Sequence, residues 1–238
     1  VMSTRPLFDG VETFPQSDPL SFKAGGFSRG AGHGATFTDN NSNYWHISTS
    51  IICVKNTWER RMGIWPAGFD KDDVMWCNTA FGDYPLYLPS ERGKNISYRP
   101  SWYLLNYKKP VIVSSTLGSF YANNAVDENI KTYWSAATAN KGEWIQTDLG
   151  NISTVNAIQL NYADQDVEFL GKQTATYHQY KLYASPDGKT WTVLVDKSSN
   201  TTDVPHDYIE LSKPVQARYI KLENIHMPTG KFAISGLR

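Results

Sequence analysis

Short runs of alternating apolar and polar residues predict strands along most of the chain, and no stretch repeats its apolar positions with a helical period. In the first half, turn-forming residues separate four such runs in two pairs. The runs are ATFTD (35–39), YWHISTSII (44–52), RRMGIWPAG (60–68) and VMWCNTAF (74–81), with NNSN and FDKDD as the turns. They predict a four-stranded meander, which is the unit of a β-propeller blade.

A second series of alternating runs begins near Lys108, and turn sequences such as SPDGK separate its members. The runs are PVIVSS, EWIQTDLG, VNAIQLNY, YHQYKLYAS, TWTVLVD, HDYIELS and ARYIKLENI. This series predicts a β-sandwich or jelly roll of about 130 residues. We therefore expect an all-β chain with one domain over residues 1–107, ending in a connector, and another over residues 108–238.

Charge and composition exclude several classes of partner. The chain carries 23 basic and 23 acidic residues, and the balance holds within each predicted domain. No basic stripe is present to collect phosphates, so neither nucleic acid nor an anionic membrane is expected as a partner. No apolar run has the roughly 18 to 20 residues of a membrane span, so no membrane insertion is expected.

The aromatic and cysteine contents constrain the chain less. Aromatic residues make up 13% of it, and most are expected in the core, with the remainder available to stack on sugars or bases. Cys53 and Cys77 are the only cysteines, too few for a disulfide scaffold or a cysteine zinc site. They either pair across neighbouring strands or remain two buried thiols.

Four motifs of the second half occur in a fixed order. They are NAVDENIKTYWSA (124–136), GEWIQTDLG (142–150), YKLYASPDGKTWTVL (180–194) and ARYIKL (217–222). The series resembles the factor V/VIII C-type (discoidin) domain, a family that includes carbohydrate-binding module family 32, over about residues 110–238. The resemblance implies a β-sandwich of galactose-binding-like topology. Trp134 and Trp144 are expected to close its core, and Gly188 is expected to take a positive φ in the SPDGK hairpin turn.

The AVDENIKT loop offers oxygen ligands at Asp127, Asn129 and Thr132. Carboxylate, amide and hydroxyl oxygens suit Ca²⁺, and the resemblance implies a structural calcium ion in this loop. With one carboxylate among the three residues, such a site would order the loop rather than sense calcium. The alternative is an Asx-type turn without metal.

Ligand binding in the discoidin family involves the loops at one end of the sandwich. The corresponding segments here are residues 162–178, 204–208 and 225–231. They contain Tyr177, His178, His206 and Asp164, whose side chains can stack on sugar rings or form hydrogen bonds with sugar hydroxyls. Carbohydrate is therefore the expected ligand. Protein or lipid is the alternative, because family members that bind those ligands use the same loops.

The first half resembles the closing part of a glycoside hydrolase family 43-type catalytic domain. The resemblance covers about residues 1–90 and rests on GHGATFTDNNSNYWHIST and ERRMGIWPAGFDKDDVMWCN. It implies that residues 1–107 contribute the last blade of a five-bladed propeller. It also implies that His33 contacts a cation or water near the propeller axis and that Arg61 (or Arg60) faces a substrate pocket. The alternative for His33 is a loop residue without ligand.

No catalytic residue is assigned in this chain. Glycoside hydrolysis needs a pair of carboxyl groups at a set separation, and in the resembled family they come from earlier blades. The acidic residues of the first half lie mostly in predicted turns, where acids are common without catalysis. The missing blades are expected from the rest of a longer parent chain or from another polypeptide. Whether this chain is itself an enzyme therefore stays open.

The sequence thus favours a fragment of a secreted or periplasmic polysaccharide-degrading enzyme, similar to arabinofuranosidases and xylosidases. The fragment is expected to bind carbohydrate without hydrolysing it. The alternative is a non-enzymatic lectin or adhesin whose meander supports the discoidin-type domain.

Overall fold

The computed structural model describes residues 28, 30, 32–52, 60–79, 84–85, 102–168 and 176–238. These residues belong to two compact units, of which the first extends through Tyr103 and the second runs from Leu104 to Arg238. No helix in the described ranges has both the length and the apolar character needed to cross a bilayer.

The first unit contains an antiparallel sheet of four strands in the order β1-β2-β3-β4. The strands are β1 (Ala35–Thr38), β2 (Tyr44–Ile51), β3 (Arg60–Phe69) and β4 (Met75–Cys77). The predicted meander is therefore confirmed, whereas the propeller to which it was assigned stays a prediction. Cys77 is a free thiol whose pKa burial raises to about 12, and Cys53 lies outside the described residues.

Aspartates close the two turns of this meander. Oδ1 of Asp39 accepts hydrogen bonds from the backbone N–H groups two and four residues later, at 2.8 and 2.9 Å. Asp70 makes the same pair at 2.9 and 3.0 Å. A hydrogen bond from Nε1 of Trp45 is the largest cause that lowers the pKa of Asp39, to about 2. Both acids therefore serve the turns in which the sequence places them.

The described residues of the second unit form a β-sandwich of seven strands together with a 3₁₀ helix, Ala122–Ala125. Its strands are β5 (Val111–Val113), β6 (Trp134–Ser135), β7 (Trp144–Tyr162), β8 (Gln179–Ser185), β9 (Thr192–Asp196), β10 (His206–His226) and β11 (Ala233–Leu237). One layer joins β5, the first part of β7, the second part of β10, β8 and β9. The other joins the first part of β10, the second part of β7, β11 and β6.

Two of the strands are longer than the sequence runs indicated. EWIQTDLG and VNAIQLNY were expected as separate strands, as were HDYIELS and ARYIKLENI, but each pair forms one continuous strand, β7 and β10. The pairing of β7 with β10 shifts register between Glu210 and Val215 and again between Ala217 and Tyr219. Bulges bend strands, and Gly150, at a φ of 89°, allows a bend in β7. Both strands thereby contribute to both layers.

The core lies between the two layers and includes a fully buried Trp134, as predicted. Its ring meets that of Phe232 edge-on at 5.4 Å, and its Nε1 donates to the carbonyl oxygen of Ser115 at 3.1 Å. Strands of both layers contribute further large, fully buried side chains: Ile145, Tyr180, Leu182 and Leu222 from one, and Leu160, Ile234 and Leu237 from the other.

The prediction that Trp144 closes the core is wrong. Successive side chains of a strand point to opposite faces, and in β7 the core side belongs to Ile145, Thr147 and Leu149. Trp144 therefore lies on the outer face of its layer, partly exposed.

The prediction for Gly188 is confirmed, because it lies in the β8–β9 connection with a φ of 73°. A Cβ atom at this position would lie 3.3 Å from Cε2 of Tyr219, so the close approach also favours glycine.

Candidate functional site

One end of the sandwich gathers three histidines from both layers, His178, His206 and His226, which we call the histidine cluster. His178 immediately precedes β8, while His206 and His226 are the first and last residues of β10. The two ends of this long strand meet because the strand bends from one layer to the other. The ring of Tyr162, at the end of β7, lies 4.1 Å from that of His178 and joins the layers.

Beside the cluster, the rings of Tyr177 and His226 lie 5.0 Å apart with an interplanar angle of 39°. Both side chains are half-buried, so part of each ring faces solvent. We call them the ring pair. An aromatic ring held in place and partly exposed offers an apolar face on which another flat or ring-shaped group can stack.

Burial dominates the electrostatics of the cluster. Burial, the largest cause, and the charges of His206 and His226 together lower the pKa of His178 to about 4. Nδ1 of His178 is buried and has no hydrogen-bond partner within the described residues. The imidazole of His178 is therefore neutral at pH 7.

The carboxylate of Asp207, the residue after His206 in β10, ties the two layers together next to the cluster. Oδ2 of Asp207 accepts a hydrogen bond from the hydroxyl of Tyr180 at 2.7 Å and lies 3.7 Å from Nζ of Lys197. Burial and this hydrogen bond raise the pKa of Tyr180 far above its usual value. Because Asp207 is engaged by these two groups, it serves the framework of the site.

The segment that follows Tyr162 is anchored to the loop after β10. Oε1 of Gln165 accepts from the hydroxyl of Tyr133 at 2.6 Å, and its carbonyl oxygen accepts from the backbone N–H of Lys231 at 2.9 Å. A Cβ atom on Gly230 would lie 2.4 Å from that carbonyl oxygen, so only glycine fits the approach. These contacts position the segment that carries Asp164.

Acidification is expected to destabilise the second unit through His178. Because the pKa of this imidazole is lower in the folded state than in the unfolded chain, the unfolded state binds more protons between about pH 6.5 and pH 4. The stabilising contribution of the neutral His178 side chain is therefore fully present above about pH 6.5, and it is lost as the pH drops through this window. Thermal unfolding should show a melting temperature that falls between about pH 7.5 and pH 4.5, by about 5 °C more in the wild type than in His178→Phe.

The exposed histidine His33 provides the control for this measurement. His33→Gln should lose as much stability on acidification as the wild type. Equal losses in the wild type and His178→Phe would show that His178 does not carry the effect.

The structure brings together three of the four residues predicted to bind ligand in the second unit, Tyr177, His178 and His206. Asp164 lies half-buried two residues beyond Tyr162, on the anchored segment. Sequence reasoning did not single out Tyr162 and His226, although both lie in segments it named, 162–178 and 225–231.

The predicted site residues of the first unit lie apart from any such cluster. His33 is exposed, with a φ of 51°. A Cβ atom on its neighbour Gly34 would lie 2.4 Å from Nε2 of the buried His46, so this glycine makes room for His46. Arg61 is exposed in β3 and donates to the carbonyl oxygen of Arg60 at 3.2 Å. The cation contact of His33 and the substrate contact of Arg61 stay predictions.

The loop expected to hold calcium is closed by its own hydrogen bonds. Oδ1 of Asp127 accepts from the backbone N–H of Asn129 at 2.9 Å, and its Oδ2 accepts from Oγ1 of Thr132 at 2.6 Å. This is the Asx-type turn of the alternative interpretation. The side-chain oxygens of Asp127 are therefore used within the loop, and the calcium ion stays a prediction. No three His, Cys, Asp or Glu side chains of the described ranges group as they would around a metal ion.

A family model, the F5/8 type C domain, matches residues 110–235, more than half of the chain. No curated protein matches the sequence of the present chain. Among solved structures, chitosan-binding module 1 from a chitosanase/glucanase of Paenibacillus sp. IK-5 is 24% identical, with a TM-score of 0.48; the match covers 57% of this chain and 97% of that one.

Two further structures match with lower identity. The family 32 carbohydrate-binding module of C. perfringens NanJ, in complex with galactose, is 19% identical over 55% of this chain and 91% of its own, with a TM-score of 0.44. A structure described as a glycoside hydrolase is 19% identical, with a TM-score of 0.45, over 88% of this chain. The present chain covers 46% of that hydrolase.

Proposed function

The chain belongs to the F5/8 type C domain family, and from this premise we propose that its second unit binds a carbohydrate at the end that carries the histidine cluster. The observation that supports the proposal is the half-buried ring pair of Tyr177 and His226, 5.0 Å apart beside that cluster. Ring faces next to hydrogen-bonding groups suit a sugar, which has apolar C–H faces and hydroxyls at its edge.

The chemistry of the bound state follows from this arrangement. The C–H face of one sugar residue would lie on Tyr177, whose ring is held by its contact with His226. The imidazole of His206 and the carboxylate of Asp164 supply polar groups for sugar hydroxyls. Because the elements that carry these side chains are tied together by the contacts of Asp207 and Gln165, little ordering is needed on binding.

We propose further that this chain is part of a secreted or periplasmic glycoside hydrolase that degrades polysaccharides, and the sheet of the first unit supports this. One face of its sheet exposes Phe37, Ile64 and Met62 by 42, 45 and 72%. Such a face suits packing against the sheet of a neighbouring propeller blade. In that enzyme the second unit would hold the catalytic part near its polymer and raise the local substrate concentration.

Glycan-array screening of the full chain tests the binding proposal. Saturable binding to one class of oligosaccharide, lost when free oligosaccharide competes, is the expected result. If no glycan binds, while a protein ligand or lipid vesicles of defined composition do, the proposal is wrong and the site serves that other class of ligand.

The same chain is expected to show no turnover of aryl pentosides or pentose oligomers. We assign none of its residues to the pair of carboxyl groups that hydrolysis requires. Hydrolysis by the purified chain, retained through successive chromatography steps, would contradict this expectation.

A further inference from the structure

The loop before β6 contains a second carboxylate, Glu128, which pairs with Arg238. Nε of Arg238 lies 3.1 Å from Oε1 of Glu128, and the two side chains are only 6 and 16% exposed. Both charges are largely removed from water, and a buried charge that loses its partner is costly. Each side chain therefore depends on the other.

The backbone on both sides makes this pair a restraint on the loop. Glu128 has a φ of 57°, in the left-handed region that residues with a side chain adopt only when their surroundings hold them there. Arg238 is fixed to β7, because its backbone exchanges two hydrogen bonds of 2.8 Å with Gln159. Its guanidinium also donates to Oε1 of Gln159 at 3.2 Å. The ion pair thus links a strained loop residue to the sheet.

We propose that the guanidinium of Arg238 is the cation that orders this loop, so that the second unit folds without calcium. Both oxygens of Asp127 already accept hydrogen bonds from within the loop. The carboxylate of Glu128 is occupied by Arg238. A calcium ion that entered here would have to displace these contacts and would be repelled by the guanidinium.

Thermal unfolding of the full chain, followed by circular dichroism, tests this proposal. The melting temperature of the second unit should be the same within about 1 °C in EDTA and in about 5 mM CaCl₂, which exceeds the dissociation constants of most weak extracellular calcium sites. Arg238→Met should lower it by about 5 °C or more in both buffers, because it leaves Glu128 buried without its counter-charge.

Arg218 provides a matched control. It forms an ion pair with Asp148 at 2.8 Å, but the side chains are 39 and 24% exposed. Exposed pairs contribute little, so Arg218→Met should shift the melting temperature by no more than about 2 °C. If Arg238→Met does not fold, Glu128→Gln removes the same charge pair with a side chain of equal size and should lower the melting temperature by about 5 °C or more in both buffers.

Two results would overturn the proposal. One is a rise of about 2 °C or more in the wild-type melting temperature with calcium, abolished by Asp127→Asn, which would restore the predicted calcium site. The other is an Arg238→Met or Glu128→Gln variant that melts like the wild type.

Discussion

Trp134→Ala is expected to lower the free energy of unfolding of the second unit by about 3 to 5 kcal/mol, as for other buried tryptophans replaced by alanine. The indole is 0% exposed and meets the ring of Phe232 edge-on at 5.4 Å. The substitution therefore leaves a large cavity between the layers and removes the donor to the carbonyl oxygen of Ser115. Urea unfolding followed by circular dichroism measures the change as a lower midpoint at unchanged slope.

Trp144 is the matched control, a tryptophan of the same unit that lies partly exposed on the outer face of β7. Its substitution by alanine removes contacts on one side only and leaves no closed cavity, so the loss should be about half that of Trp134→Ala or less. Equal losses for the two variants would contradict the placement of Trp134 in the core and Trp144 outside it.

Tyr177→Ala is expected to weaken carbohydrate binding by about 30- to 150-fold, which corresponds to the roughly 2 to 3 kcal/mol typical of an aromatic anchor. The substitution removes the half-buried ring that pairs with His226 and on which the sugar would stack. Isothermal titration with the oligosaccharide identified by the array gives the dissociation constants.

Tyr177→Phe and Tyr219→Ala sharpen this measurement. Phenylalanine keeps the ring face, so Tyr177→Phe should lose less than about tenfold. Tyr219 lies on β10 opposite Ser185, far along the strand from His226, and its loss should leave binding unchanged. If Tyr177→Ala binds as tightly as the wild type, the ring pair is not the stacking surface.

Alternation along the sequence predicted the runs that form most of the strands, but not β6 or β11, nor how strands continue across bends. The runs that became β7 are separated by NIST (151–154), whose polar residues, directly after Gly150, look like a turn, yet the backbone remains extended through them. Pairing with β10 maintains the extension, and such pairing is a long-range property that a local pattern does not contain. The sequence also could not show on which face of the sheet Trp144 lies, because that depends on the register of the whole of β7.

The candidate site was only partly visible in the sequence for a similar reason. Tyr162 and His178 lie in one named segment, but their contact across the layers depends on the bends in β7 and β10. The loop before β6 shows the same limit. The AVDENIKT motif contains possible oxygen ligands for a metal ion. It does not show the contact between Glu128 and Arg238, because these residues lie 110 positions apart in the chain.

The central claim is that carbohydrate binds at the end of the sandwich that carries the histidine cluster. Backbone amide chemical shifts of the isotope-labelled chain, recorded during titration with the oligosaccharide that binds on the array, locate the ligand directly. The largest changes should fall on residues 162–164, 177–180, 206–208 and 226–231. Changes concentrated instead on the outer face, around Trp144, Tyr183 and Trp191, would contradict the claim.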